Sequence, residues 1–387
     1  MRIVAIHEAT VPLSVAARSA NISFGGMTAS ALVLVSDVMR DGKPLLGLAF
    51  DTIGRYGHGG LLRERFMPRL LAAAPDRYSD GRQIDPAAVW DIVMADEKFG
   101  GHGERCGAVG LIDAAAWDLA AKIADVPLWK LLADREGRDE ATGQVPVYAS
   151  GGHYAAEDDL AVLRRDLQFG LDCGHTRLKI KIGGAPLAED LARIDAALSV
   201  IGDQGRLALD ANGIFDFATA QAYLAALADR PIAWLEEPGT ALDYALNAEI
   251  AAISTLPLAV GENLFSFDDA RNLLRHGGLR SDRDLLQFDI SASYGLVEYD
   301  RILRLFAAAG WDRSRFAPHA GHLLAMQSGA GLGLGLAEVA ISTASLFGKI
   351  TAGVPVADGL ATLPDLPGAG FEGSPVFKDM FGDVLPH

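Results

Sequence analysis

Three carboxylates recur at one interval in this 387-residue chain: Asp210 in DANG, Glu236 in WLEEP and Glu262 in GEN stand 26 residues apart. Each has an ordinary structural use on its own, as an Asx turn, a solvated pair with Glu237, or a charge at a helix N-terminus. Gathered at one place they would repel unless a hard divalent cation lay among them. Oxygen-only ligation suits Mg²⁺, with positions left open for water or substrate. Asn212 and Asn263 stand beside the carboxylates as supporting hydrogen-bonding groups.

The stretch RLKIKIGG alternates, so Lys179 and Lys181 share one strand face while Leu178, Ile180 and Ile182 take the other. Such a pair is either a solvated edge or a pair facing an anion. Lying next to Lys179 and nearest the bound cation, Lys181 is expected to have a depressed pKa and to serve as a neutral base, and charged Lys179 to stabilise a negative oxygen. Asp289, ending DLLQFD, and His319, in APHAGH, form an expected acid/base dyad in which the carboxylate raises the imidazole pKa. The competing accounts are a structural hydrogen bond, or a zinc pair of His319 and His322; zinc sites prefer nitrogen or sulfur ligands at more regular spacing.

These residues need a scaffold that brings strand ends together. From about residue 140, strand candidates (VPVYAS, RLKIKIGG, RLALDANG, IAWLEEP, PLAVGEN, DLLQFDIS, RFAPHAG and a weaker one near LAEVAIS) alternate with amphipathic helical stretches. Alternating βα units imply parallel strands with right-handed crossovers. Eight of them predict an α/β fold, a (β/α)8 TIM-type barrel whose chemistry collects at the C-terminal ends of its strands. Residues 1–138 read instead as an α+β capping domain, with DGK as a hairpin turn between two strands and Asp85-Pro86 as a helix start. The barrel is expected over 139–355. The Gly- and Pro-rich tail, 356–387, is expected to return to the capping domain and help form it.

Fifty acidic against 34 basic residues give a formal charge of −16, which argues against a nucleic-acid or anionic membrane partner. No window approaches the roughly 18 uncharged apolar residues of a membrane span. Cys106 and Cys173 are the only cysteines, so no disulfide framework is expected, and a cytoplasmic location fits. The glycine-rich stretches RSANISFGGM, with Asn21, and GRYGHGG, with Arg55 and Tyr56, suit mobile lids over a small hydroxy-acid substrate; those three residues are substrate-binding candidates. A homo-oligomer is expected.

The set KIK, DAN, WLEEP, GEN, QFD and APHAGH resembles the enolase superfamily, in its mandelate racemase subgroup. Within it, GRYGHGGLLRERF, EKFGGHGER, GENLFSFDDARNLLRHGG, QFDISASYGL and LPDLPGAGFEG are similar to stretches of the D-tartrate dehydratases. The resemblance implies one Mg²⁺ per active site on Asp210, Glu236 and Glu262, Lys181 as base, and His319 with Asp289 as acid. It further implies a rim role for Glu338 toward a substrate carboxylate and a substrate-facing role for Lys98. The stretch EVAISTASLFGKITAGVPVADG, from Glu338 onward, is unlike the aromatic- and proline-rich segment of those dehydratases. The implied reaction is α-proton removal through an enediolate and loss of a β-hydroxyl to give a 2-keto acid. Racemisation or epimerisation on the same two groups, and dehydration of a longer aldonic or aldaric acid, are the alternatives. GAGLGLGLA (329–337) imitates a dinucleotide fingerprint but lacks the preceding strand and ribose-binding acid, and reads as helix packing. A non-catalytic sugar-acid binding protein would leave the lysine pair and the dyad without purpose.

Overall fold

The computed structural model describes every residue except 14–19, 21–25, 99, 101–102, 203–205, 321, 342–352 and 383–387. Asn21 and most of the stretch after Glu338 therefore lie outside the described residues. The chain opens with a three-stranded antiparallel sheet of β1 (Ile3–Pro12), β2 (Thr28–Arg40) and β3 (Lys43–Gly54). Asp41 and Gly42 join β2 to β3 with φ of 51° and 77°, the twist a two-residue hairpin requires. Among the described residues five α-helices follow: α1 (Gly57–Leu61), α2 (Met67–Leu71), α3 (Pro86–Val93), α4 (Glu104–Ala124) and α5 (Leu128–Arg135). Asp85 caps α3 as its sequence suggests, accepting from Ala87 N at 3.0 Å. Alanine-rich α4 lies against β3 so closely that a Cβ at Gly47 would run into the Ala115 carbonyl.

The second sheet is parallel: β4 (Gln144–Ser150), β5 (Leu178–Lys181), β6 (Leu207–Asp210), β7 (Ile232–Glu236), β8 (Leu258–Val260) and β9 (Leu285–Leu286) pair in sequence order. β10 (Ala337–Ala340) pairs in parallel with β4 and brings the last strand back beside the first, as a barrel requires. Among the described residues the strand expected at RFAPHAG makes one bridge only, Phe316 to Leu286. Pro318 has no N–H to continue the ladder, and the chain then turns through Ala320 at φ 92°. Outside lie α6 (Asp159–Asp172), α7 (Leu187–Ile201), α8 (Phe217–Leu227), α9 (Tyr244–Ile253), α10 (Phe267–His276), α11 (Leu296–Ala308) and α12 (Leu323–Leu332). Side-chain caps start four of them: Asp216 accepts from Thr219 N at 2.8 Å, Asp243 from Leu246 N at 3.0 Å, Ser266 from Asp269 N at 3.2 Å and His322 Nδ1 from Leu324 N at 3.2 Å. These caps stop the loops leaving the strand ends and so fix their length.

The two modules are joined at the loop that follows β9. Trp90 Nε1 donates to the Tyr294 carbonyl at 2.9 Å, Asp113 accepts from Leu296 N at 2.5 Å, and Gly110 packs directly on the Ser291 carbonyl. Helices α3 and α4 thus hold the segment that carries Asp289. The tail first forms a hairpin, β11 (Val356–Ala357) and β12 (Leu360–Thr362), that adds to β4 in antiparallel sense. Beyond it Phe371 packs on Phe50 of β3, ring centroids 6.1 Å apart, and Glu372 pairs with Lys122 of α4. The tail therefore touches both modules. Among the described residues no helix is long and apolar enough to cross a membrane, and both cysteines are free.

Candidate active site

Side chains alternate along the barrel strands, so one inward layer lies beneath another. The lower layer is apolar: Tyr148, Ala208, Trp234, Ala259, Leu285, Ala317 and Leu336 pack together, with Tyr148 and Trp234 edge to face at 5.1 Å. Two residues further along, the same faces carry Ser150, Asp210 and Glu236, so a dry floor supports a polar rim.

Registry brings the rim together. Lys181 pairs with Asp210 and Asp210 with Glu236 across β5, β6 and β7, while Glu262 follows the end of β8. Asp210, Glu236 and Glu262 each present a carboxylate oxygen within 4.8 Å of the others. Asn212 N donates to Asp210 Oδ1 at 2.9 Å, Trp234 Nε1 and Gln287 Nε2 donate to Glu236 Oε2 at 3.1 and 2.7 Å, and Asn263 Nδ2 reaches Glu262 Oε1 at 3.3 Å. Glu262 Oε2 is buried with no hydrogen-bond partner. Three converging carboxylates with a buried orphan oxygen fit a hard divalent cation, which these residues would hold.

Both lysines face this cluster and are buried, not solvated. Lys179 pairs with Glu236, lies 3.0 Å from Glu338 Oε1 and 3.6 Å from Asp210 Oδ2, and sits over the Tyr148 ring. Burial pushes its pKa down, but Glu236 and Glu338 outweigh burial and hold it well above the ordinary value. The depressed pKa expected for Lys181 is not what the carboxylates produce. Burial and Lys179 push it down, yet the ion pair with Asp210 holds it up, and Asp210 is correspondingly lowered. The anion between the lysines is the protein's own carboxylate set.

Glu236 moves the other way. Burial, joined by the charges of Asp210, Glu262 and Glu338, outweighs the Lys179 ammonium and pushes its carboxyl up to about 8. A cation bound there must displace a proton, so Mg²⁺ affinity is expected to weaken about tenfold per pH unit on going below that value. Calorimetric titration with Mg²⁺ between roughly pH 6 and pH 9 checks this; a dissociation constant flat over that range would overturn it.

On the other side of the cluster, His319 Nδ1 meets Asp289 Oδ2 at 2.9 Å, and its Nε2 lies 3.5 Å from Glu262 Oε2 and 3.8 Å from Glu338 Oε2. Burial lowers the imidazole pKa, but the carboxylates of Glu262, Glu338 and Asp289 overcome it and hold it at about 10. Asp289 is fixed in turn by Ser291 Oγ at 3.1 Å and Ala292 N at 2.8 Å. Glu338 is pulled down to about 2 by Lys179 and His319 against the opposing effect of burial. His322 does not join His319 as a zinc pair: its Nδ1 accepts from Leu324 N at the start of α12 and its Nε2 meets Ser291 Oγ at 2.9 Å.

The cap residues stand apart from this set. Lys98, Arg55 and Tyr56 are exposed, and among the described residues none makes a side-chain hydrogen bond or ion pair with the rim. Sequence reasoning missed Gln287, which shares a face with Asp289 at a spacing of two, and His153, just past the end of β4. It also missed the buried Glu237 side chain, which accepts from Asn263 Nδ2 at 2.7 Å.

Parallel βα units ringed by this rim under an α+β cap define the class. The chain belongs to the enolase superfamily, mandelate racemase/muconate lactonizing subgroup, and residues 163–375, more than half of it, match the family described as enolase C-terminal domain-like. Among curated relatives it is similar to an arabinonate dehydratase of Saccharolobus solfataricus (27% identity, 73% of this chain and 74% of the relative). It is likewise similar to the L-talarate/galactarate dehydratase of Salmonella typhimurium (29%, 82% and 75%) and to a 3,6-anhydro-alpha-L-galactonate cycloisomerase of Streptomyces coelicolor (29%, 91% and 92%). Its fold matches the crystal structure of the Salmonella dehydratase with Mg and L-lyxarohydroxamate at a TM-score of 0.76 (25% identity, 94% of this chain and 88% of that one). It also matches an L-talarate dehydratase of Polaromonas sp. JS666 with Mg and L-glucarate at 0.73 (26%, 89% and 89%).

Proposed function

We propose that the chain is an Mg²⁺-dependent acid-sugar dehydratase that removes the α-proton of a hydroxy acid and expels its β-hydroxyl, with D-tartrate to oxaloacetate as the leading reaction. The observation that carries it is the placement of two proton-handling groups at opposite ends of one carboxylate cluster, Lys181 on Asp210 and His319 near Glu262. The dehydratase relatives support the reaction class, and the Mg-bound solved structures support the cation.

Asp210, Glu236 and Glu262 hold the Mg²⁺, which when bound stabilises negative charge developing on the substrate carboxylate. With the charge of Asp210 committed to a dication, the interaction that holds Lys181 protonated weakens, leaving burial and Lys179, which both push its pKa down. Neutral Lys181 then takes the α-proton as the Cα–H bond breaks and its electron pair enters the enediolate. Lys179 remains charged and faces the same negative oxygens. His319, kept protonated and oriented by Asp289, gives its proton to the β-hydroxyl as that C–O bond breaks; water leaves and the enol tautomerises to a 2-keto acid. Glu338 is ionised and so unable to donate to a substrate carboxylate oxygen; 3.0 Å from Lys179, it helps keep Lys179 and His319 protonated beside the substrate. Lys98, Arg55 and Tyr56 close over the far end of the substrate from the cap.

The names of the dehydratase relatives favour a second reading, a longer aldonic or aldaric acid. A substrate without a leaving group would instead be reprotonated by His319 on the opposite face, which is racemisation. The test is a panel of hydroxy acids with Mg²⁺, scored for 2-keto acid. Oxaloacetate from D-tartrate is the expected result, and turnover of longer acids alone would move the substrate. Inversion of configuration without keto acid would replace dehydration with racemisation. No turnover and no α-proton exchange with any acid would overturn the reading.

A further inference from the structure

A further residue, just past the end of β4, lies beside the lysine side of the rim. Past Ser150, residues Gly151, Gly152 and His153 run along β5: Gly151 N donates to the Lys179 carbonyl at 3.1 Å, and Lys181 N donates to the Gly152 carbonyl at 3.2 Å. Gly152 has φ of +58°, and a Cβ there would lie 2.7 Å from Ile180 Cβ, so glycine is what lets the chain cross so close.

That crossing is braced from behind. Buried Arg193 donates to the Gly152 carbonyl at 2.8 Å, pairs with Asp159, and lies 4.2 Å from the Tyr154 ring centroid. Tyr154 Oη donates to Asp190 Oδ1 at 2.6 Å; Asp190 Oδ2 accepts from Tyr223 Oη and from Gly183 N, both at 2.6 Å. Gly184 N closes the circuit on Tyr154 Oη at 2.9 Å. The residues either side of His153 are thus tied to the two glycines that follow Lys181 and its neighbour Ile182. Connected networks of buried hydrogen bonds fix geometry in this way.

His153 itself is half-buried, and the charges that act on it are Lys181, Asp210, Lys179 and Glu338, all of them rim groups. Burial pushes its imidazole down to about 4, and the two ammonium groups add to that effect, so the ring is neutral at neutral pH.

We propose that His153 contacts the substrate and determines specificity, its imidazole meeting a hydroxyl of the bound acid on the Lys181 side of the carboxylate cluster. The inference rests on the acid-sugar reading above. A neutral imidazole offers one donor and one acceptor, the same pair an alcohol offers, whereas a carboxylate can only accept and is better served by the lysines. A polar group built to meet a hydroxyl discriminates against the acid in which that hydroxyl is missing or inverted.

The test uses the full-length protein with Mg²⁺ and D-, L- and meso-tartrate, galactarate and D-glucarate, with malate as the deoxy analogue, and compares wild type with His153→Leu and His153→Gln. His153→Leu is expected to lose about tenfold in kcat/KM on the preferred acid and far less on its epimer or deoxy analogue, collapsing the ratio between them. His153→Gln, which keeps a donor and an acceptor, should recover part of that ratio at unchanged Mg²⁺ affinity. Equal losses on every acid, or no loss, overturn the assignment. If the wild type turns over none of the acids, the dehydratase reading fails, and the same ratios are read from Mg²⁺-dependent calorimetric binding; an unchanged ratio there, or no binding of any acid, removes the role of His153 as well. Should His153→Leu fail to fold, the His153→Gln ratio decides, complete equality with wild type across the panel counting against the proposal.

Discussion

Replacing Lys181 with methionine is expected to lower kcat by a factor of about 10² to 10⁴, the usual contribution of a positioned general base. The α-proton should then stop exchanging with solvent deuterium as well, because on that side of the rim Lys179 stays charged and the His153 imidazole, pushed down to about 4, is too weak a base to replace the amine. Mg²⁺ affinity should hold or improve: the Lys181 ammonium pairs with Asp210, one of the three carboxylates, so its removal takes away a competing cation. Lys181→Arg separates base from charge. Guanidinium keeps the ion pair but cannot give up its proton near neutral pH, so this variant should be as inactive as the methionine one. Full turnover or full isotope exchange in either variant would remove Lys181 from the reaction.

The rim was legible in the sequence because it repeats. Asp210, Glu236 and Glu262 fall one βα unit apart, and Lys179 and Lys181 fall one side-chain alternation apart, so two simple periods place five groups on one face. The fold class followed from the same alternation. What the periods could not show was who pairs with whom. Two lysines side by side predict a depressed pKa, but the Asp210 register partner of Lys181 reverses the sign in the folded chain. The seventh strand reduces to a bridge at Phe316 because Pro318 interrupts it, a local backbone fact visible as a letter but not as an outcome. His153 and the Asp190–Arg193 brace were invisible for a different reason. Their contacts link β4, β5, α7 and α8 through irregular loops, and no single-chain periodicity reports a cross-loop hydrogen bond.

His319→Asn is expected to separate the two halves of the reaction. The amide retains a donor for Asp289 but cannot give up a proton as an acid, so 2-keto acid formation should fall by about 10² to 10⁴. Lys181 is intact, however, and α-proton exchange with deuterated solvent should continue. If the reaction were instead racemisation, inversion would be lost while exchange continued, so the variant reports on either chemistry. The pH profile gives a second readout. Carboxylates raise the His319 pKa from its ordinary 6.5 to about 10, so the protonated acid is present at neutral pH and is lost as pH rises through the raised value. Commitment of Glu262 to Mg²⁺ weakens one of those carboxylate interactions but leaves Asp289 and Glu338 in place, which puts the alkaline fall in dehydration between the two values. Asp289→Asn should move that fall toward lower pH, since it removes the carboxylate 2.9 Å from Nδ1. Dehydration at the wild-type rate in His319→Asn, or an alkaline fall that survives unchanged in it, would show that the proton reaches the departing hydroxyl from another group.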